Sequence, residues 1–272
     1  MNVVDVVAFD IDGTLLNDNR RVSETDYRLL EKLGQNGVLR VAATGRNLFS
    51  LNRVLTPDFP MDYAIFSSGA GIMNWKTKEI LHTEHLTKNE IKRIIKILDS
   101  FELNYSLHQC IPNNHHLYLH APHPQAHDLL NYSAAYQPYV EPINFDKLPE
   151  QATQFIVILN SHVSLFNTLT IKMNFVKTIL TTSPIDKKTM WLEVFNQRVS
   201  KANGLKWLCT YINMKNPKIM AIGNDYNDEE LLHHSNYSFV VANAPADLKN
   251  KFSVVANNNN NGLSEAWNII SI

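Results

Sequence analysis

Val3-Val4-Asp5-Val6-Val7-Ala8-Phe9, followed by Asp10-Ile11-Asp12-Gly13-Thr14-Leu15, is the stretch that decides the fold. The run is apolar except for one acid and is rich in β-branched residues, which suits a strand buried on both faces. The turn after it leaves Asp10 and Asp12 at the strand's C-terminal tip. Similar runs recur at 38–43 before Thr44-Gly45-Arg46 and at 63–66 before Ser67-Ser68-Gly69. Another lies at 218–222, before Gly223-Asn224-Asp225-Tyr226-Asn227-Asp228. Helical patterns separate them: 23–33, with Tyr27, Leu30 and Leu33 at helical spacing, then 47–55 and 201–212. Strand, helix, strand, helix, strand predicts an α/β fold built on a parallel sheet.

The texture changes between about 83 and 187. Thr87 and Glu90 form a capping box ahead of Ile91, Ile94, Ile95 and Leu98, one face of a helix. Strands are expected at 103–110, 117–121, 154–159, 176–182 and 188–195, with helices at 125–136 and 164–174. This mixture predicts an α+β domain at 83–187, inserted into a core made of 1–82 and 188–272. Asn257 to Asn261 is a run of asparagines and reads as a solvated loop.

The chain has 272 residues, 44% of them hydrophobic, and a net charge of -1. A core of useful size can be buried, which excludes a disordered chain. The even charge balance leaves no electrostatic footprint for nucleic acid or an anionic membrane. Two cysteines, Cys110 and Cys209, make no disulfide framework and fit a reducing compartment. No signal peptide or membrane span is expected, so the sequence reads as cytoplasmic.

In an open parallel sheet, ligands bind beyond the carboxyl ends of the strands. Two carboxylates at such an end repel each other and lose hydration unless a cation compensates. Mg²⁺ suits oxygen ligands and leaves positions for a phosphate. One carboxylate can attack phosphorus, and the other can protonate the leaving oxygen and later deprotonate water.

Asp10-Ile11-Asp12-Gly13-Thr14-Leu15 resembles the first motif of the haloacid dehalogenase-like (HAD) hydrolases. Thr44-Gly45-Arg46 resembles the second, Lys201 the third, and the 223–228 loop the fourth, in the right order over nearly the whole chain. The insert resembles the type 2, subclass B cap of Cof-type and sugar-phosphatase-like members. The resemblance implies a Rossmann-like core and a Mg²⁺-dependent phosphatase that acts on a small phosphorylated metabolite, a sugar phosphate or cofactor phosphate. It makes Asp10 the nucleophile and Asp12 the acid and base. It assigns phosphate binding to Thr44, Gly45, Lys201 and Asn227, and places Arg46 at substrate or at an acid of the fourth motif. The metal set it implies is Asp10, Asp12, Asn224 and Asp228. Asn224 stands where the family usually has an aspartate, so either Asn224 ligates or Asp225 reaches the metal instead. In the first case Asp228 holds a metal-bound water or bonds Lys201. A phosphotransferase or phosphomutase, and a weakly catalytic metabolite-binding regulator, share these motifs as alternatives.

Six histidines fall in the insert, His108, His115, His116, His120, His123 and His127, near Cys110. Their spacing matches no compact zinc motif. Cys209, on the helix after Lys201, is expected to pack.

Overall fold

The structure is a computed structural model that describes residues 3–123, 127–160, 163–183 and 189–271. The chain divides into two units, Met1–His82 with Ser200–Ile272, and Thr83–Val199. Unit 1 begins β1 (Val6–Phe9), α1 (Glu24–Gln35), β2 (Leu39–Ala43), α2 (Leu48–Leu51), β3 (Tyr63–Phe66), β4 (Gly71–Asn74) and β5 (Ile80–Thr83). Unit 2 runs β6 (Leu86–Thr87), α3 (Lys88–Asp99), β7 (Tyr105–His108), β8 (Leu117–His120), α4 (His127–Ala134) and β9 (Val140–Pro142). It continues with β10 (Gln151–Ala152), β11 (Gln154–Asn160), α5 (Val163–Lys172), β12 (Lys177–Thr182) and β13 (Met190–Phe195). Unit 1 resumes with α6 (Lys201–Tyr211), β14 (Ile219–Gly223), α7 (Glu229–His234) and β15 (Tyr237–Val241). It closes with α8 (Ala246–Lys249), β16 (Ser253–Val255) and α9 (Gly262–Ile270).

Unit 1 is an eight-stranded sheet in the order β16-β15-β14-β1-β2-β3-β4-β5. The strands from β16 to β3 pair in parallel. All four residues of β1 are fully buried, as an apolar run at the centre of a covered sheet should be. β1 lies between β14 and β2, where the chain order reverses, and this is where an open α/β sheet forms a crevice. β4 pairs antiparallel with β3 and β5 continues beyond it, an extension of the sheet that sequence periodicity did not reveal. Both strands are short, and β5 is only partly buried, so neither carries a strong pattern.

Unit 2 has a six-stranded sheet in the order β12-β13-β11-β7-β8-β9. The capping box expected on α3 is present, and Ile91, Ile94, Ile95 and Leu98 are buried against β7, β11 and β13 residues. β13 pairs with both β11 and β12, so it belongs to this unit and not to the core. The expected return to the core at 188 therefore moves to Ser200. A strand of apolar character cannot announce which sheet will take it, and residues 184–188 lie outside the described residues. The first residues of the helix expected at 125–136 also lie outside them.

Candidate active site

β1 delivers Asp10 to the crevice, with 5% of its surface exposed. α6 begins at Lys201 because Ser200 caps it, its hydroxyl accepting from the Asn203 amide at 3.1 Å. Lys201 is 1% exposed and donates from Nζ to Asp10 Oδ1 at 2.7 Å and Asp228 Oδ1 at 2.6 Å. Asp228 Oδ2 accepts from the backbone amides of Asn224 and Asp225 at 2.9 and 3.1 Å. Burial raises the Asp10 carboxyl to about 7, with Lys201 pulling it down and Asp228 pushing it up. Burial alone would lower the Lys201 ammonium, but Asp10 and Asp228 together hold it above its ordinary value. The ammonium is thus a fixed cation between two buried acids.

The approach of α6 to β3 depends on an unusual turn. Ser67, Ser68 and Gly69 all have positive φ, at 49°, 56° and 106°, and the two serines are fully buried. Such backbone is strained for serine and concentrates at functional sites. A Cβ at Gly69 would run into the Ser200 carbonyl, so only glycine lets the α6 N-terminus sit this close. The Ser67 amide donates to the Arg46 carbonyl at 2.8 Å and the Ser68 amide to the Thr44 carbonyl at 3.0 Å, which ties the turn to the Thr44-Gly45-Arg46 loop.

Arg46 reaches across to the first motif. Its Nε and Nη2 each lie 2.6 Å from an Asp12 carboxylate oxygen, and Nη1 donates to the Ser50 carbonyl at 3.1 Å. This planar fork fixes the orientation of Asp12. The Thr44 hydroxyl accepts from the Arg46 amide at 3.1 Å, so its own proton can be given to an anion. A Cβ at Gly45 would stand 3.5 Å from the Ser68 hydroxyl and 3.6 Å from the Asn227 amide nitrogen, so these polar groups border the bare Gly45 backbone.

Asn224 reaches the paired acids. One end of the Asn224 amide lies 3.2 Å from Asp10 Oδ2, 3.0 Å from the Asp12 carbonyl oxygen and 3.2 Å from the Thr14 hydroxyl. With oxygen inward, it joins a carboxylate and a carbonyl in a cluster of hard oxygen donors, which fits Mg²⁺. With nitrogen inward, it donates to the same groups. The Asp225 side chain instead accepts from the amides of its own turn. Asp228 has one oxygen engaged by Lys201 and the other by backbone amides. The bond to Lys201 expected for it is present.

Two features escaped the sequence. Asn258 is 7% exposed and donates to the Leu16 carbonyl at 3.0 Å, and its backbone amide donates to Asn243 Oδ1 at 3.1 Å. Asn243 in turn donates to the Gly13 carbonyl at 2.8 Å. Part of the asparagine run is therefore a clamp on the loop after β1 and not a solvated loop, because an amide side chain can satisfy carbonyls that irregular backbone leaves over. In unit 2, His108 is buried on β7, in reach of Ser106 Oγ at 3.1 Å and the Asn114 carbonyl at 3.0 Å, and burial lowers it to about 4. Cys209 packs in the unit 1 core as expected.

Residues 7–266 match the family described as haloacid dehalogenase-like hydrolase. The Bacillus subtilis protein YxeH is 25% identical, with 96% of each chain covered. An HMP-PP phosphatase of Klebsiella pneumoniae is 24% identical over 90% of this chain and 86% of its own. Among solved structures, the HAD phosphatase BT1666 of Bacteroides thetaiotaomicron superposes with a TM-score of 0.82 at 19% identity, covering 98% and 95% of the two chains. The HAD subclass IIB sugar phosphatase BT4131 gives 0.78 at 17% identity, covering 98% and 99%. Among the described residues, no helix is long and apolar enough to cross a membrane.

Proposed function

The chain belongs to the haloacid dehalogenase-like hydrolases, and from that premise we propose that it is a Mg²⁺-dependent phosphatase of a small phosphorylated metabolite. One observation carries the reading: Lys201 holds Asp10 and Asp228 together at the crevice end of β1, while Arg46 fixes Asp12 two residues on. A binding site alone has no need of two acids there, one of them raised by burial. Phosphatase relatives and a sugar-phosphatase neighbour support the substrate class.

In this reading Asp10 attacks phosphorus in line and becomes an aspartyl-phosphate as the bond to the leaving oxygen breaks. Asp12 gives that oxygen a proton, exchanging one Arg46 bond for the substrate, and then takes a proton from the water that frees phosphate. Thr44, the Gly45 backbone and Asn227 orient the phosphoryl oxygens. Lys201 favours the ionised form of Asp10 against burial and supplies positive charge beside the reacting group. Asp10 Oδ2, the Asp12 carbonyl and Asn224 would hold Mg²⁺, which when bound neutralises charge on the phosphoryl group.

The test is phosphate release from a panel of phosphorylated sugars and cofactors, with Mg²⁺ and with chelator. Wild type should release phosphate only with Mg²⁺, and Asp10→Asn should lose about three orders of magnitude or more in kcat while remaining folded. Turnover by Asp10→Asn at the wild-type rate would remove Asp10 from its role.

A further inference from the structure

We propose that Asn224 lets the metal position satisfy itself when empty, so that Mg²⁺ is a weakly held, exchangeable activator of this chain and not a resident ion. The proposal rests on the phosphatase reading above. Its basis is the amide at the centre of the acid cluster. With nitrogen inward, the two Asn224 amide hydrogens can be given to Asp10 Oδ2 and the Asp12 carbonyl, with the Thr14 hydroxyl beside them free to turn its own proton, so the two acidic-site oxygens no longer face a bare oxygen. With oxygen inward, the same side chain becomes a neutral ligand, and the Thr14 hydroxyl can still donate to it at 3.2 Å. The two ends of an amide differ little in size, so exchanging them needs no repacking.

An aspartate at 224 would have neither option. It carries no hydrogen when ionised, and it would press a further negative charge against Asp10 Oδ2 and the Asp12 carbonyl, so a cation would be required. The surrounding charges agree. Lys201 already neutralises part of the Asp10 and Asp228 charge, and Arg46 covers Asp12. The protein's own cations therefore leave a small residual negative charge for a divalent ion. Gly13 completes the device: its φ is +72°, and a Cβ there would come within 2.6 Å of the outer end of the Asn224 amide. The glycine keeps open the room in which that end sits. Turnover would consequently follow free Mg²⁺ over the range in which the wild-type site is only partly filled.

The probe is Mg²⁺ alone, followed by calorimetric titration and by thermal unfolding in chelator and in excess Mg²⁺. Wild type, Asn224→Asp and Asn224→Ala are compared. Wild type should bind Mg²⁺ about tenfold or more weakly than Asn224→Asp, because ligand charge sets the affinity of such sites. Its Tm should barely depend on the chelator, whereas that of Asn224→Asp should fall in chelator and recover with Mg²⁺. Asn224→Ala, which adds no charge, should lose Tm in chelator because the donor is gone. Equal Mg²⁺ affinity in wild type and Asn224→Asp would overturn the proposal. So would a Tm for Asn224→Ala in chelator equal to that of wild type, a result that decides the matter even if Asn224→Asp does not fold. Phosphate release is read in parallel. Tighter Mg²⁺ binding by Asn224→Asp with no release from any substrate would sink the phosphatase reading and leave this proposal standing. Release by both proteins at equal Mg²⁺ affinity would do the reverse.

Discussion

The two units bury polar groups in different ways. At the crevice of unit 1 the buried groups are charged: Asp10, Asp228 and Lys201, joined by short ion-paired bonds. On the β7 face of unit 2 they are neutral: Ser106, His108 and Asn114, joined by ordinary hydrogen bonds. A buried ion pair is a poor way to gain stability, since desolvation offsets most of the attraction. A neutral network costs less to bury and still fixes geometry. The charged set at the crevice is thus better accounted for by chemistry than by stability.

Breaking the charged set should give the largest effect. Lys201→Met keeps most of the volume but leaves two carboxylates facing each other, which should cost about 3–5 kcal/mol in urea unfolding. Adding Asp228→Asn should restore part of that loss, whereas activity should stay absent. The neutral set responds to acid instead. His108 sits at about 4 against an ordinary 6.5, so below 6.5 the unfolded chain takes up the proton first. Stability present above pH 6.5 should be lost as pH falls towards 4, by about 3 kcal/mol in total, and His108→Gln should flatten that slope. Equal acid sensitivity in His108→Gln would move the effect elsewhere.

Two smaller tests separate positioning from stability. Arg46→Lys loses the planar fork on Asp12, and kcat should fall about ten- to a hundredfold with KM nearly constant. Because the Asp12 side chain is 47% exposed, unfolding stability should change by less than about 1 kcal/mol. Asn258→Ala removes the bond to the Leu16 carbonyl and should cost about 1 kcal/mol, read by urea unfolding.

What the sequence disclosed was local. The apolar run of β1, the helix that starts at Lys201 and the capping box of α3 each depend on neighbours a few residues away, and each formed as expected. What it concealed was pairing at a distance. Arg46 meets Asp12 across 34 positions, and Asn258 meets Leu16 across 242. β13 joined the inserted sheet although its composition suits either one. The Ser67-Ser68 turn was hidden for another reason, since serine is not the residue that advertises positive φ.

The Asn243 and Asn258 clamp has a consequence for how the molecule comes into being. A chain is synthesised from its N-terminus, and domains take shape as their residues emerge. Asp10 is made well before Lys201, Asp228 and Asn258. A polypeptide that stops between them would carry the proposed nucleophile without its cation, its partner acid or its clamp. The proposed centre is complete only once Asn258 has been made.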